Sequence, residues 1–270
     1  MIGRLPRRSP ARLRTLAPWR GREDRFDADA VRRTVIFLAG RGDSSGMPRR
    51  FLVREAQNRN PSRKRPMSIH LYPNDLPDDV NLGPVVAIDT ETMGLDPRRD
   101  RLCLVQMSAG DGDAHLVQIE RGQTEAPNLC RILTDPKVVK LFHFGRFDIA
   151  ALENAFGVVT SPVWCTKIAS KLVRTFTDRH GLKYLLNELA DVDVSKQQQT
   201  SDWGQPDLTD AQLEYAASDV LHLHKLKAAL EERLKRENRM GLAQACFDFL
   251  PARAHLDLLG WGDEKDIFQH

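Results

Sequence analysis

The chain is 270 residues long with 41% apolar side chains, enough for one large domain or a domain with an appendage. Its formal charge of +3 hides an asymmetry: residues 1–66 hold 18 Lys and Arg against 6 Asp and Glu, whereas residues 67–270 hold 22 against 31. Four scattered cysteines with no CxxC spacing argue against a zinc site and a disulfide framework, leaving a reducing cytoplasm as the expectation, and no apolar run nears the roughly 20 residues of a membrane helix.

Residues 1–66 are rich in Arg and Pro and keep neither a period of 2 nor one of 3.6, the composition of a disordered basic tail. The twin arginine in "VRRTVIFLAG" (Val31–Gly40) precedes too short an apolar run for an export signal. "MSIHLYPNDLP", opening at Met67, begins the composition of the rest of the chain. The expectation is a domain over 67–270 preceded by an extension whose start lies too far upstream; an arm that grips nucleic acid is the functional alternative.

"VVAIDTET", "RLCLVQMSAG", "DAHLVQI" and "VVKLFHF" are short apolar or alternating runs separated by turn residues, and they predict strands. The first ends on Asp89 and Glu91. Residues i and i+2 of a strand face the same way, so these carboxylates lie side by side and repel unless a cation stands between them. "DIAALENAFG", closed by a glycine, "TKIASKLVRTF" and "HGLKYLLNELA" predict helices. The clearest helix opens at "LTDAQLEYAASDVLHLHKLKAALEERLKRENR", with Thr209 as N-cap and Gln212 completing a capping box. Strands first and helices later predict an α/β sheet covered by helices. No glycine-rich phosphate loop is present in the sequence.

Tyr215 and Asp219 are four apart on that last helix and share a face with Leu213, Ala216, Val220 and Leu223, so the face should point inward. A buried Asp is costly unless paired or bound to metal. Asp148, at a strand-to-helix junction, taken alone reads as an N-cap. Together, Asp89, Glu91, Asp148 and Asp219 form a set of hard oxygen ligands suited to Mg²⁺ or Mn²⁺. Two such ions about 4 Å apart clamp the attacking and leaving oxygens of phosphoryl transfer.

These motifs, "DTE", "HFGRFD" and "YAASD", resemble the DEDD superfamily of 3′–5′ exonucleases in its tyrosine branch; Glu214 stands where the histidine branch has His. "KQQQTSDW" through "YAASDV" (Lys196–Val220) is similar to ribonuclease D, but only 51 residues follow Asp219, too few for that enzyme's helical RNA-binding domains. "LYPNDLP", "DRLCLVQMS", "LFHFGRFD", "CTKIASKL", "TDRHGLK" and "LDLLGWGDEKDIF" are similar to the nanoRNase C family of short ribonuclease D-like enzymes, over roughly three-quarters of the chain from Met67.

The resemblance implies a ribonuclease H-like mixed sheet flanked by helices and a phosphodiester hydrolase that takes dinucleotides and other very short RNAs to nucleoside 5′-monophosphates. It implies two divalent ions, with Asp89 bridging them, Glu91 and Asp219 on the first and Asp148 on the second, and Tyr215 orienting water. Glu91 with the backbone at Thr92 and Met93 would meet the 3′-hydroxyl, and Leu95 would wedge between the terminal bases or, alternatively, pack as a turn residue under the sheet. His143 and Phe144 would line a base or ribose pocket, or form a core strand. It also implies a homo-oligomer built from dimers; the apolar Leu258, Leu259, Trp261, Ile267 and Phe268 near the C-terminus are candidates for burial against a neighbour or, alternatively, for packing within the chain. Lys167, Lys171, Arg174, Arg179 and Lys183 read as a phosphate patch or as solvated helix faces, and Trp203 as a stacking or packing ring. Competing readings are a ribonuclease D-like trimmer of structured RNA, a DNA 3′–5′ exonuclease, and a binding module without catalysis.

Overall fold

The β-branched and apolar runs of the sequence become seven strands in the computed structural model, which describes residues 49–51, 68–194, 198, 200–262 and 265–268. These are β1 (Arg49–Phe51), β2 (Ser68–Pro73), β3 (Val85–Thr92), β4 (Leu102–Ser108), β5 (Asp113–Gln118), β6 (Val139–Phe142) and β7 (Val163–Cys165). They form one sheet in the order β1-β2-β5-β4-β3-β6-β7. Neighbours β1–β2, β4–β5 and β3–β4 are antiparallel, and β2–β5, β3–β6 and β6–β7 are parallel, the mixed sheet expected from the sequence. Every residue of β4 is buried, as a central strand covered on both faces must be. Of the extension, Arg49–Phe51 pairs with β2; the tail and the Val31–Gly40 segment otherwise lie outside the described residues.

Among the described residues seven helices cover the sheet: α1 (Pro127–Thr134), α2 (Arg146–Phe156), α3 (Thr166–Val173), α4 (Leu182–Ala190), α5 (Asp210–Leu221), α6 (Leu223–Arg236) and α7 (Met240–Leu258). α5 packs on β3, β4 and β5, α6 on α3 and α4, and α7 on α2 and β7. The predicted capping box holds: Thr209 Oγ1 accepts from the Gln212 amide at 3.3 Å, and Gln212 Oε1 accepts from the Thr209 amide at 3.0 Å.

The helix read as continuous from that cap is two, broken at His222 (φ −109°, ψ −1°). The break lets the next helix turn so that His224 Nε2 donates to the Val85 carbonyl of β3 at 2.9 Å, beside Gly110, where a side chain would strike the imidazole. Leu213, Ala216, Val220 and Leu223 are all buried, as their shared face required. Burying each large aliphatic side chain contributes about 1.5–3 kcal/mol, which keeps α5 pressed on the sheet.

Candidate active site

β6 pairs with β3 only along Val85–Ala87, so the last turns of β3 run past the end of β6, where the chain leaves for α2. Asp89 and Glu91 lie on this stretch. Asp89 is opposite Gln106 of β4, so both side chains point to the face on which α5 lies. There Asp89, Glu91 and Asp219 bring carboxylate oxygens within 4.8 Å of one another. Thr90 points the other way, where its hydroxyl donates to Asp148 Oδ1 at 2.6 Å. Asp148 is the third residue of α2, whose N-cap is Gly145, so the N-cap reading of Asp148 does not hold. The four acids therefore converge on the strand end from three elements, Asp89 and Glu91 on β3 itself, Asp219 from α5 and Asp148 from α2, with Asp148 outside the tight trio.

Their charges show what the arrangement demands. Burial, and then Asp148, Asp219 and Glu91, hold the Asp89 carboxyl well above the usual carboxylate range. Burial with Asp219 and Asp148 pushes Glu91 up to about 9, opposed by the Gln106 amide. Burial pushes Asp148 up to about 7 against the Thr90 hydroxyl, and Asp219 up to about 7 against its hydrogen bond with Tyr215. The Tyr215 phenol is raised by burial and by Asp219, Glu91 and Asp89. The main influences on these four acids are burial, one another and neighbouring hydrogen bonds, with no lysine or arginine among them. Acids that hold protons for want of a cation, at metal-ligand spacing, fit divalent ions.

Leu95 is 89% exposed, which overturns the reading of a turn residue packed under the sheet. Its turn is stiff: Asp100 Oδ2 accepts from the Asp96 amide at 3.0 Å, and a Cβ on Gly94 would lie 2.2 Å from that oxygen. Thr92 Oγ1 donates to the Gly94 carbonyl at 2.5 Å, and the Met93 amide donates to the Arg101 carbonyl at 3.0 Å. The Met93 N–H is thus already engaged, leaving its carbonyl and half-exposed side chain to a ligand. A register shift between Glu91 and Thr92 leaves Cys103 as an extra residue on β4.

Phe144 is 46% exposed with φ +66°, and the Lys167 ammonium sits 3.7 Å over its ring. Leu95 and Phe144 share a cavity of about 630 Å³ with Arg98, Arg146 and Phe147. His143 is satisfied as the alternative reading requires, but it is half-buried just beyond β6 and so is not part of a core strand. Its Nδ1 lies 2.8 Å from Thr166 Oγ1, whose own proton goes to the Phe142 carbonyl, so the imidazole is the donor. Burial and Lys167 lower its pKa to about 3. The basic cluster disperses: Arg174 is buried and paired with Glu188, and Lys183 pairs with Asp193 at 3.3 Å, while Lys167 alone reaches the Phe144 wall. Trp203 is 3% exposed and packs against Tyr215, ring centroids 6.1 Å apart.

Sequence reasoning missed Gln106 and Thr90. Gln106 is fully buried, with its amide 3.5 Å from Glu91 Oε1. The signal was a lone amide in the otherwise apolar run "LCLVQM".

A sequence model of the 3′–5′ exonuclease domain found in family A DNA polymerases matches residues 73–235. Ribonuclease D of Granulibacter bethesdensis is 35% identical over 157 residues, covering 58% of this chain and 39% of that protein. The chain thus spans about two-fifths of the length of that curated relative. Two solved structures of Brucella melitensis NrnC are more alike. One, with bound Mg²⁺, is 58% identical with a TM-score of 0.72 and covers 76% of this chain and 100% of its own. The other, bound to pGG, is 60% identical with a TM-score of 0.73 and covers 76% and 99%.

Proposed function

Because this chain belongs to the 3′–5′ exonuclease family, in the branch of NrnC, we propose that it hydrolyses dinucleotides and other very short RNAs from the 3′ end to mononucleotides. The observation that carries the reading is the trio Asp89, Glu91 and Asp219 within 4.8 Å, set beside the exposed Leu95. Asp89, Glu91 and Asp219 would hold one divalent ion, and Asp89 with Asp148 a second, each Mg²⁺ or Mn²⁺. Bound there, the ions would supply Lewis-acid stabilisation of the charge that builds on the phosphodiester.

The chain's own groups do the rest. Tyr215, its phenol kept protonated by the acids around it and donating to Asp219, leaves its oxygen to accept a hydrogen bond from water and so orients that water toward the terminal phosphate. Thr90 fixes the rotamer of Asp148, and Gln106 braces Glu91. Leu95 sets an apolar edge against the terminal base, and Phe144 and the cavity beside it receive the neighbouring nucleotide. An overall acidic 67–270 region suits a ligand with few phosphates, since a long strand needs many cationic contacts.

We read the exposed Leu259, Trp261, Ile267 and Phe268 as a surface for a second copy, in a homo-oligomer built from dimers. The site of action is taken to be the cytoplasm. Among the described residues no helix is long and apolar enough to cross a membrane.

The test is a time course on 5′-labelled pGpG and a labelled seven-mer RNA with Mg²⁺ or Mn²⁺, beside Asp219→Ala. Fast clearance of pGpG alone, lost in the variant, supports the reading. Equal rates on both substrates make the protein a general exonuclease of the ribonuclease D kind.

A further inference from the structure

Beyond the acids, a knot of largely buried charge ties the C-terminal segment to the turn that carries Asp148. Arg146 is the first residue of α2, two after Phe144 and two before Asp148. Its Nε and Nη2 donate to the two carboxylate oxygens of Asp257, near the end of α7, at 2.6 and 2.7 Å. The two side chains are only 23% and 15% exposed. Asp257 also meets Arg253, one turn back, at 3.2 Å. Arg253 in turn donates to the Trp261 carbonyl at 2.8 Å and lies 3.6 Å from Asp266.

A two-pronged guanidinium–carboxylate pair fixes angle as well as distance, which packing of smooth apolar surfaces does not. The turn it grips is one that needs holding. Phe144 keeps a left-handed backbone that a bulky residue seldom adopts, and a side chain on Gly145 would lie 2.6 Å from Phe142. Arg146, Asp257 and Gly260 also form part of the wall of the cavity that Leu95 and Phe144 share.

We propose that Asp257 is a positioning residue for the substrate. Acting through Arg146, it holds the Phe144–Asp148 turn and the cavity wall in the shape that receives a dinucleotide. This rests on the exonuclease reading above. Losing the clamp loosens the wall that binds, whereas Asp148 is held separately by the Thr90 hydroxyl at 2.6 Å and the other three acids and Tyr215 lie on β3 and α5, so binding should suffer more than turnover.

The test is steady-state hydrolysis of pGpG at saturating Mg²⁺ by the full chain, by Asp257→Asn and by Arg146→Lys, at a temperature where melts show the compared proteins folded. Asp257→Asn keeps the side chain's shape and one acceptor. Its KM should rise more than threefold, and by a larger factor than kcat falls. Arg146→Lys, which keeps the charge and loses the fork, should move KM in the same direction, and it decides alone if Asp257→Asn does not fold. A KM change below threefold in the folded variants, or a kcat that falls by more than KM rises, overturns the proposal. An inactive wild-type chain sinks the exonuclease reading and the clamp with it; an active one whose KM ignores these substitutions sinks the clamp alone.

Discussion

Replacing Asp219 with Asn should stabilise the metal-free protein while abolishing hydrolysis. Oxygens of Asp89, Glu91 and Asp219 lie within 4.8 Å. Two ionised carboxylates at that separation repel by about 3.5 kcal/mol at an effective dielectric of about 20. Protonation relieves the strain at low pH, because Glu91 is pushed up to about 9 and Asp148 and Asp219 up to about 7. Each of these pKa values is higher folded than unfolded, so the folded chain keeps protons that the unfolded chain releases. Stability of the metal-free protein therefore falls as pH rises from about 4 through about 9.

The Asn variant removes one charge and still accepts the Tyr215 hydroxyl. Its advantage should be small at pH 5.5 and largest at pH 9. Discounted for relaxation and residual protonation, the gain there is about 1–3 kcal/mol, or roughly 2–10 °C in Tm for a domain of this size. Thermal melts in EDTA at the two pH values measure it. A variant less stable than wild type at pH 9 would show that the acids do not strain the fold, and the reasoning from crowded charge would fail.

Adding Mg²⁺ at a hundred times its Kd should raise wild-type stability by about 2.7 kcal/mol, with protons released as Glu91 and Asp219 ionise. Calorimetry in buffers of different ionisation enthalpy reads that release, and finding none would contradict the raised carboxyls. Leu95→Ala should leave stability within about 0.5 kcal/mol, because the side chain is 89% exposed, yet raise KM for pGpG; an unmoved KM removes the wedge role. Thr90→Val strips a buried donor from Asp148 and should cost about 1–3 kcal/mol. Its kcat should fall roughly 10–100-fold, as for other outer partners of metal ligands, and unchanged turnover would mean that Asp148 is placed without it.

The paired acids were legible because a strand's period of two forces Asp89 and Glu91 to one side, and the helical spacing of Tyr215 and Asp219 brought a third group over them. Local periodicity carries such information. What it does not carry is how charges pair across the fold. Arg174 looked like part of a phosphate patch, yet it is buried against Glu188, fourteen residues on. The break at His222 is hidden in the sequence because leucines continue at helical spacing on both sides, and the contact that accompanies it, His224 to the Val85 carbonyl, is made with a distant strand. α7 was not foreseen: it is apolar around much of its circumference and carries Pro251 inside, so neither an amphipathic stripe nor a clean boundary marks it. Of the C-terminal apolar residues, Leu258 packs on the core while Leu259, Trp261, Ile267 and Phe268 stay exposed, a division that spacing alone could not make.

The extra residue at Cys103 has a consequence for how such an enzyme can diversify. The pairings of Asp89 with Gln106 and of Glu91 with Leu104 lie on one side of it, and the turn bearing Leu95 lies on the other. A bulge bends its strand and redirects the chain beyond it. Deleting that one position would re-aim the turn while the acids kept their partners. A lineage can therefore retune which ends it accepts through a single insertion or deletion, without first losing the power to cut.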